Sequence, residues 1–246
     1  MPLFNRMELD HGMLGTRRSG FLGPMKPPRA LADLPFAAEL RPFDGELELE
    51  GDYDRVWFDG GAFADAMAAG SRFAESAFTG VTFDGGRLRR ARLSDVWFGE
   101  TRFVALDAAE CSWTDVWFSG CVLAGVQAFS SVLRRVTLRG CKLDSVNFRE
   151  SKLTDVLFED CVLRDADFGG AKLTRVRFPG CTLSDADFTK VTCTDVDLRG
   201  ATLGGGGAAG IRAGYDSLRG ARIDTLQLMT LAPLLAHHLG ITVEDR

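Results

Sequence analysis

The sequence predicts an all-β solenoid, and three observations carry that prediction. Counted from Tyr53 in steps of five to Leu228, all 36 positions visited are apolar, the smallest being Ala68, Ala108, Ala128, Ala208 and Ala213. From Leu133 to Leu203 the residue two before each is small: Ser131, Val136, Cys141, Val146, Ser151, Val156, Cys161 and so on to Ala201. A period of five matches neither a 3.6-residue helix nor a two-residue strand alternation, so the repeat takes precedence over any local assignment. A chain with 46% apolar residues would not hold this phase by chance.

Two positions in each pentapeptide then face inward and three face solvent. Four pentapeptides can close a square turn of 20 residues, and successive turns stack at about 4.8 Å with hydrogen bonds along the axis. The 36 pentapeptides give nine coils, a rod of about 43 Å.

In chain order, Met1 to Leu22 shows no usable period, and Met25-Lys26-Pro27-Pro28 offers an alternative start with the preceding residues as an extension. Ala30 to Leu40 is a short apolar stretch expected to cap the N-terminal end. Glu46-Leu47-Glu48-Leu49-Glu50 alternates with period two and is expected to be an edge strand over the first coil, its charges opposing end-to-end stacking. The divisions expected are 1–50 for an N-terminal extension and cap, 51–223 for the repeats and 224–246 for a C-terminal helical cap or dimerisation segment.

Within the repeats, Ala166-Asp167-Phe168, Ala186-Asp187-Phe188 and Val196-Asp197-Leu198 resemble the A(D/N)LxX unit of the pentapeptide-repeat proteins. The resemblance runs from about Gly51 to Leu228. It implies that family's fold, a right-handed quadrilateral β-helix.

Five of the six cysteines, Cys111, Cys121, Cys141, Cys161 and Cys181, occupy the small inward slot, and Cys193 occupies a large one. The last four of the five are 20 apart and form a ladder on one wall. The pattern reads as small apolar filler, since there is no CxxC spacing and no His within the repeats.

The outward residues before Phe58, Phe78, Phe98 and Phe118 are Trp57, Ala77, Trp97 and Trp117. Trp97 and Trp117 lie on consecutive coils and are expected to stack side by side. This stripe is either a partner-binding surface or a surface covered by the N-terminal segment. Trp113 falls in a large inward slot, where it must bulge the wall or meet small neighbours such as Ala108 and Ala128. The Ala128-Phe129 pair suggests that Phe129 competes for the interior.

One wall places Asp107, Gln127, Asn147, Asp167 and Asp187 outward, with Glu110 and Glu150 at its corners. The next carries Arg72, Arg92, Lys152, Lys172 and Arg212. These charges either pair between rows or leave an acidic strip resembling a phosphate backbone. The resemblance implies the second, because some pentapeptide-repeat proteins mimic DNA and bind DNA gyrase, a basis of quinolone resistance. From Tyr53 to Leu228, however, 23 acids face 22 bases, far less acidic than duplex DNA. The constant register also excludes long projecting loops.

The period weakens at Gly204–Gly210, where small residues leave a thin or looped-out coil. A helix follows, capped by Asp224 and stopped at Gly240, with Pro233 expected to kink or divide it. Met229, Leu231, Leu234, Leu235 and Leu239 supply an apolar face that can lid the last coil, mediate a homodimer as in gyrase-binding relatives, or both. His237 and His238 are expected at solvent or at the helix C-terminus.

No Ser/His/Asp or Cys/His set, phosphate-binding glycine motif or metal spacing appears, so no enzyme and no cofactor is expected. A net charge of −5 argues against a direct nucleic-acid partner. Apolar runs are too short to span a membrane and no signal-peptide pattern opens the chain, giving a cytoplasmic reading. The expectation is a non-catalytic rod that binds a protein, with a type II topoisomerase as family-level candidate. The alternative is a scaffold that holds an unrelated protein through the Trp stripe.

Overall fold

The computed structural model describes residues 28–204 and 210–244. The alternative start at Met25 and the period-free stretch before it lie outside them.

A period of five becomes a square coil because each pentapeptide spends three residues on a wall and two on a corner. Every residue numbered by a multiple of five from Glu50 to Gly200 sits in the left-handed region, with φ between 44° and 78°. Left-handed backbone costs an L-residue about 1–2 kcal/mol, so the corners must be held by something else. They are held by hydrogen bonds: the corner N–H of Ser130 donates to the Arg149 carbonyl of the next coil at 2.8 Å, and that of Glu110 to Phe129 at 3.0 Å.

Successive coils pair in parallel at a spacing of 20 residues. Leu93 faces Trp113, which faces Leu133, and Phe83 faces Phe103. In the first half, eight-residue strands such as Arg92–Gly99 and Ser112–Ser119 turn one corner without interruption. Three-residue strands such as Val122–Ala124 form the third wall, and the fourth is joined by single bridges through Arg87, Asp107, Gln127 and Asn147.

Both inward positions are filled as the phase predicts. Phe58, Phe78, Phe98 and Phe118 stack at ring distances of 4.1 to 4.8 Å, and Phe158 stacks on Phe178 at 4.9 Å. A stretch without aromatic rings, Leu123, Ala128, Leu133, Leu138 and Leu143, separates the two aromatic blocks. The small slot also carries buried polar groups. Thr101, Ser131 and Ser151 donate to the carbonyls of Phe78, Ala108 and Ala128, 23 residues back, and the Cys121, Cys161 and Cys181 thiols do the same to Phe98, Leu138 and Phe158.

Trp113 lies inside without bulging the wall. Its strand keeps register on both sides, and Ala108 and Ala128 are buried beside it. Phe129 does not compete for the interior. It stays outside under the Arg89 guanidinium, 5.6 Å from its ring centre.

Several boundary expectations change. The Glu46–Glu50 alternation forms no strand, because Gly51 N–H turns back to the Glu48 carbonyl and Glu48 N–H donates to the Tyr53 hydroxyl. Buried Leu47, with Phe43 against Tyr53 and Phe58, closes the N-terminal end instead. Arg41–Pro42 is the strand added there, paired with Val56–Trp57. Ala30 to Leu40 is not an end cap. Its two single-turn helices, Leu31–Asp33 and Ala37–Glu39, lie on the outside of a wall.

At the other end the coil count is about eight, not nine. Leu183 pairs with Leu203 at a spacing of 20, but Ala186 pairs with Ile211 and Val196 with Ala221 at 25. One extra pentapeptide is therefore inserted into that turn. The unbroken register expected from the period does not hold here, and Gly205–Ala209 lie outside the described residues. The C-terminal helix, α1 (Thr225–His238), closes the end. Pro233 does not divide it, and Met229, whose carbonyl loses its helical partner to Pro233, faces solvent.

Candidate protein-binding surface

With the interior full, chemistry is confined to the outer walls and the two ends. The cysteines are unavailable for it. All but Cys193 are buried. Burial pushes the Cys111 thiol up to about 12, and contact with the adjacent thiol, reinforced by burial, pushes Cys141 and Cys161 up to about 12. Among the described residues no group of three or more His, Cys, Asp or Glu is arranged to hold a metal ion, and no helix is long and apolar enough to cross a membrane.

The acidic candidates are drawn into pairs rather than standing as a free strip. Glu110 bridges Arg89 and Arg90, and these two cations hold its carboxylate below the ordinary range. Asp167 meets Arg149 at 3.0 Å, Asp187 meets Arg212 at 3.4 Å, and Asp107 is 4.0 Å from Arg89. Glu150 lies exposed at a corner. The column of corners at 20-residue spacing is similar, with Arg135 on Asp115 and Arg175 on Asp155. Asp95 is the exception. It stands between Glu75 and Asp115, and burial, helped by those two carboxylates, pushes it up to about 6.

The tryptophan candidates are covered. Leu34 and Phe36, both buried, pack with Ala77 and Trp97, while Leu31, Ala37, Leu40, Trp57 and Trp117 surround them. Trp97 is only 6% exposed. Trp57 donates its indole N–H across the coil to Thr79 Oγ1 at 2.9 Å. Trp97 instead lies over Gly99, where a methyl group would stand 2.1 Å from its Cη2 atom. Its buried N–H has no partner among the described residues. No sequence period marks Leu34 and Phe36 as wall contacts; the available signal is two large apolar residues upstream of the repeat.

The dimerisation candidates divide. Leu231 is buried, and Leu234 and Leu235 pack on the core, so these three are the lid. Met229 and Leu239 are exposed. Leu226, Leu228, Ile241 and Val243 in the same C-terminal segment are exposed as well. Leu228 is in phase with the repeat yet points outward, because helix geometry has replaced the coil by that point. Gln227, which the sequence reading passed over, holds the lid down: its buried amide donates to the Leu198 carbonyl at 2.5 Å and to Ala201 at 2.7 Å. Its signal was the Asp224–Gln227 spacing of a capping box. His238 reaches Asp216 at 2.9 Å.

The pentapeptide-repeat-region family model matches residues 111–188 and again 131–206. Residues 111–206 therefore resemble the pentapeptide-repeat region, and the period of five carries the same pattern upstream to Tyr53. The four-walled coil of 20 residues, with parallel pairing from turn to turn, agrees with the quadrilateral β-helix that this resemblance implies. Solved structures similar to this chain include HetL, a pentapeptide-repeat protein involved in heterocyst differentiation regulation in the cyanobacterium Nostoc sp. strain PCC 7120, at 17% identity and a TM-score of 0.46, covering 76% of this chain and 93% of that one. Full-length QnrB1, a plasmid-mediated fluoroquinolone resistance protein, is similar at 17% identity and 0.43, covering 78% and 100%. A thylakoid-lumen pentapeptide-repeat protein of Arabidopsis thaliana is similar at 16% and 0.31, covering 39% and 71%. No curated protein matches this sequence.

Proposed function

We propose that the chain is a non-catalytic rod that binds a protein partner, with a type II topoisomerase such as DNA gyrase the partner to test first. The observation that supports this reading is the placement of free apolar surface. The walls are flat and their charges largely paired, whereas Leu226, Met229, Leu239 and Val243 at the helical end are each more than two-thirds exposed. So many large apolar side chains exposed within one short segment call for a covering partner. A second copy of the chain fits that end, which would double the length of the rod and its row of outer charges.

The topoisomerase is nominated by the resemblance of the repeats to gyrase-binding members. The paired acids weigh against simple imitation of a phosphate backbone, so surface shape has to contribute more than net charge. The experiment is ATP-dependent supercoiling by purified gyrase with the full-length protein at micromolar concentration. Inhibition that is lost with Met229→Glu supports both parts of the reading. Unchanged supercoiling removes the topoisomerase.

A further inference from the structure

Residues 28–40 differ from the coils in how they are attached. Their backbone hydrogen bonds are all local, such as Leu34 N–H to Leu31 and Glu39 N–H to Phe36. The first backbone bond to the solenoid is from Arg41 N–H to the Arg55 carbonyl, followed by Phe43 N–H to Trp57. Upstream of that pivot, contact with the wall rests on side chains: Leu34 and Phe36 on Trp97 and Ala77, and Glu39 at 3.0 Å from Arg55. A segment so held opens without disturbing any coil.

The wall beneath is also incompletely satisfied. The Trp97 indole N–H is buried and has no acceptor among the described residues, and a buried donor without an acceptor is costly. It borders a cleft shared by Arg29, Leu31, Thr79, Glu100 and Ser119. The covering arm therefore supplies apolar contact but no acceptor to that N–H.

We propose that the arm of residues 28–40 is a displaceable internal ligand, and that the Trp57–Trp97 wall beneath it binds a short apolar peptide of a partner protein. The arm defines the chemistry such a peptide needs: two bulky apolar side chains two residues apart, as in Leu34-Pro35-Phe36. A peptide that also delivers a carbonyl oxygen to Trp97 Nε1 outcompetes the arm, whose advantage is tethering alone. This rests on the reading of the chain as a protein-binding rod and is independent of which partner that is.

Two measurements test it on the full-length chain. Hydrogen exchange of the unmodified protein should show amides 31–40 exchanging at least a hundredfold faster than those of Val96–Phe98. Equal protection overturns the proposal. A fluorescent peptide with the sequence of residues 28–41 should bind the L34S/F36S double variant at least tenfold more tightly than the unmodified chain, and Trp97→Ala in that background should abolish binding. Failure of the double variant to bind, with the far-ultraviolet signal of the solenoid intact, also overturns it. Loss of peptide binding with gyrase inhibition retained sinks the arm alone; the reverse result sinks only the topoisomerase.

Discussion

The middle coils and the N-terminal arm bury similar residues by different means. Between Leu133 and Leu198 each large side chain sits between two others in adjacent coils, and the backbone around it is bonded above and below. Leu34 and Phe36 are almost as buried, at 4% and 5%, but nothing in their backbone is bonded to what they cover. Burial therefore does not by itself fix how firmly a residue is held. A contact in the coils cannot open alone, whereas a contact in the arm can.

The largest expected effect compares phenylalanines at these two sites. Phe158→Ala removes a fully buried ring from a stack and should cost about 3–5 kcal/mol in chemical denaturation. Phe36→Ala should cost about 1 kcal/mol, because its loss is bounded by the arm's own docking free energy. Equal losses would mean that the arm unfolds with the coils and would erase the distinction.

The helical end lies between these extremes. Its helix is held partly by packing and partly by Gln227 on the last carbonyls of the coil. Gln227→Ala removes the amide donor from the Ala201 carbonyl and leaves Leu198 with only the Ala201 N–H, with an expected loss of about 1–3 kcal/mol. Hydrogen exchange should show residues 225–238 opening at lower denaturant than the coils. If helix and coils still unfold together, the lid is held by its leucines alone.

The contrast also explains what the sequence made legible. Two inward positions in five are visible because one small and one large apolar slot recur at every turn, and the tryptophan at 113 respects that rule. The inserted pentapeptide near Gly204–Gly210 is invisible to a count in fives, since adding five residues preserves the phase while shifting the stacking from 20 to 25. The covering of Trp97 was legible only as one of two alternatives, because an outward residue does not reveal what lies on it. The pairing of Glu110 and Asp167 required knowing which corner residue of a neighbouring row stands beside each. The left-handed corner left a trace that was available: Gly60, Gly80, Gly120, Gly140, Gly180 and Gly200 share one column.

That corner offers a smaller test, of backbone alone. Gly140 has φ of 60°, and a methyl group there would meet nothing within 4 Å. Gly140→Ala should cost about 1–2 kcal/mol through conformation alone, while Gly140→Asn should cost less, since Asn tolerates this region. An alanine variant as stable as the parent would show that coil stacking, not corner conformation, sets the turn.

The smallest effect depends on pH and isolates Asp95, the carboxylate without a cation of its own in the corner column from Arg55 to Asp195. Asp95 has a folded pKa raised to about 6 from an ordinary 3.8, chiefly by burial and then by Asp115 and Glu75. The folded state thus holds this proton more tightly than the unfolded state. Stability contributed by Asp95 is greatest below pH 4 and falls as pH rises through the window from about 4 to 6, remaining low above it. Asp95→Asn keeps the shape and removes the charge. It should stabilise the protein at pH 8 by about 1 kcal/mol, a figure reduced for partial solvent screening, with no gain at pH 4. Measuring the difference between variant and parent at both values cancels the opposite trend of Glu110 and Asp155, whose arginine partners lower their pKa values. A gain that is the same at both pH values would mean that the asparagine acts through packing, and that the carboxylate column from Glu75 to Asp115 carries no electrostatic strain.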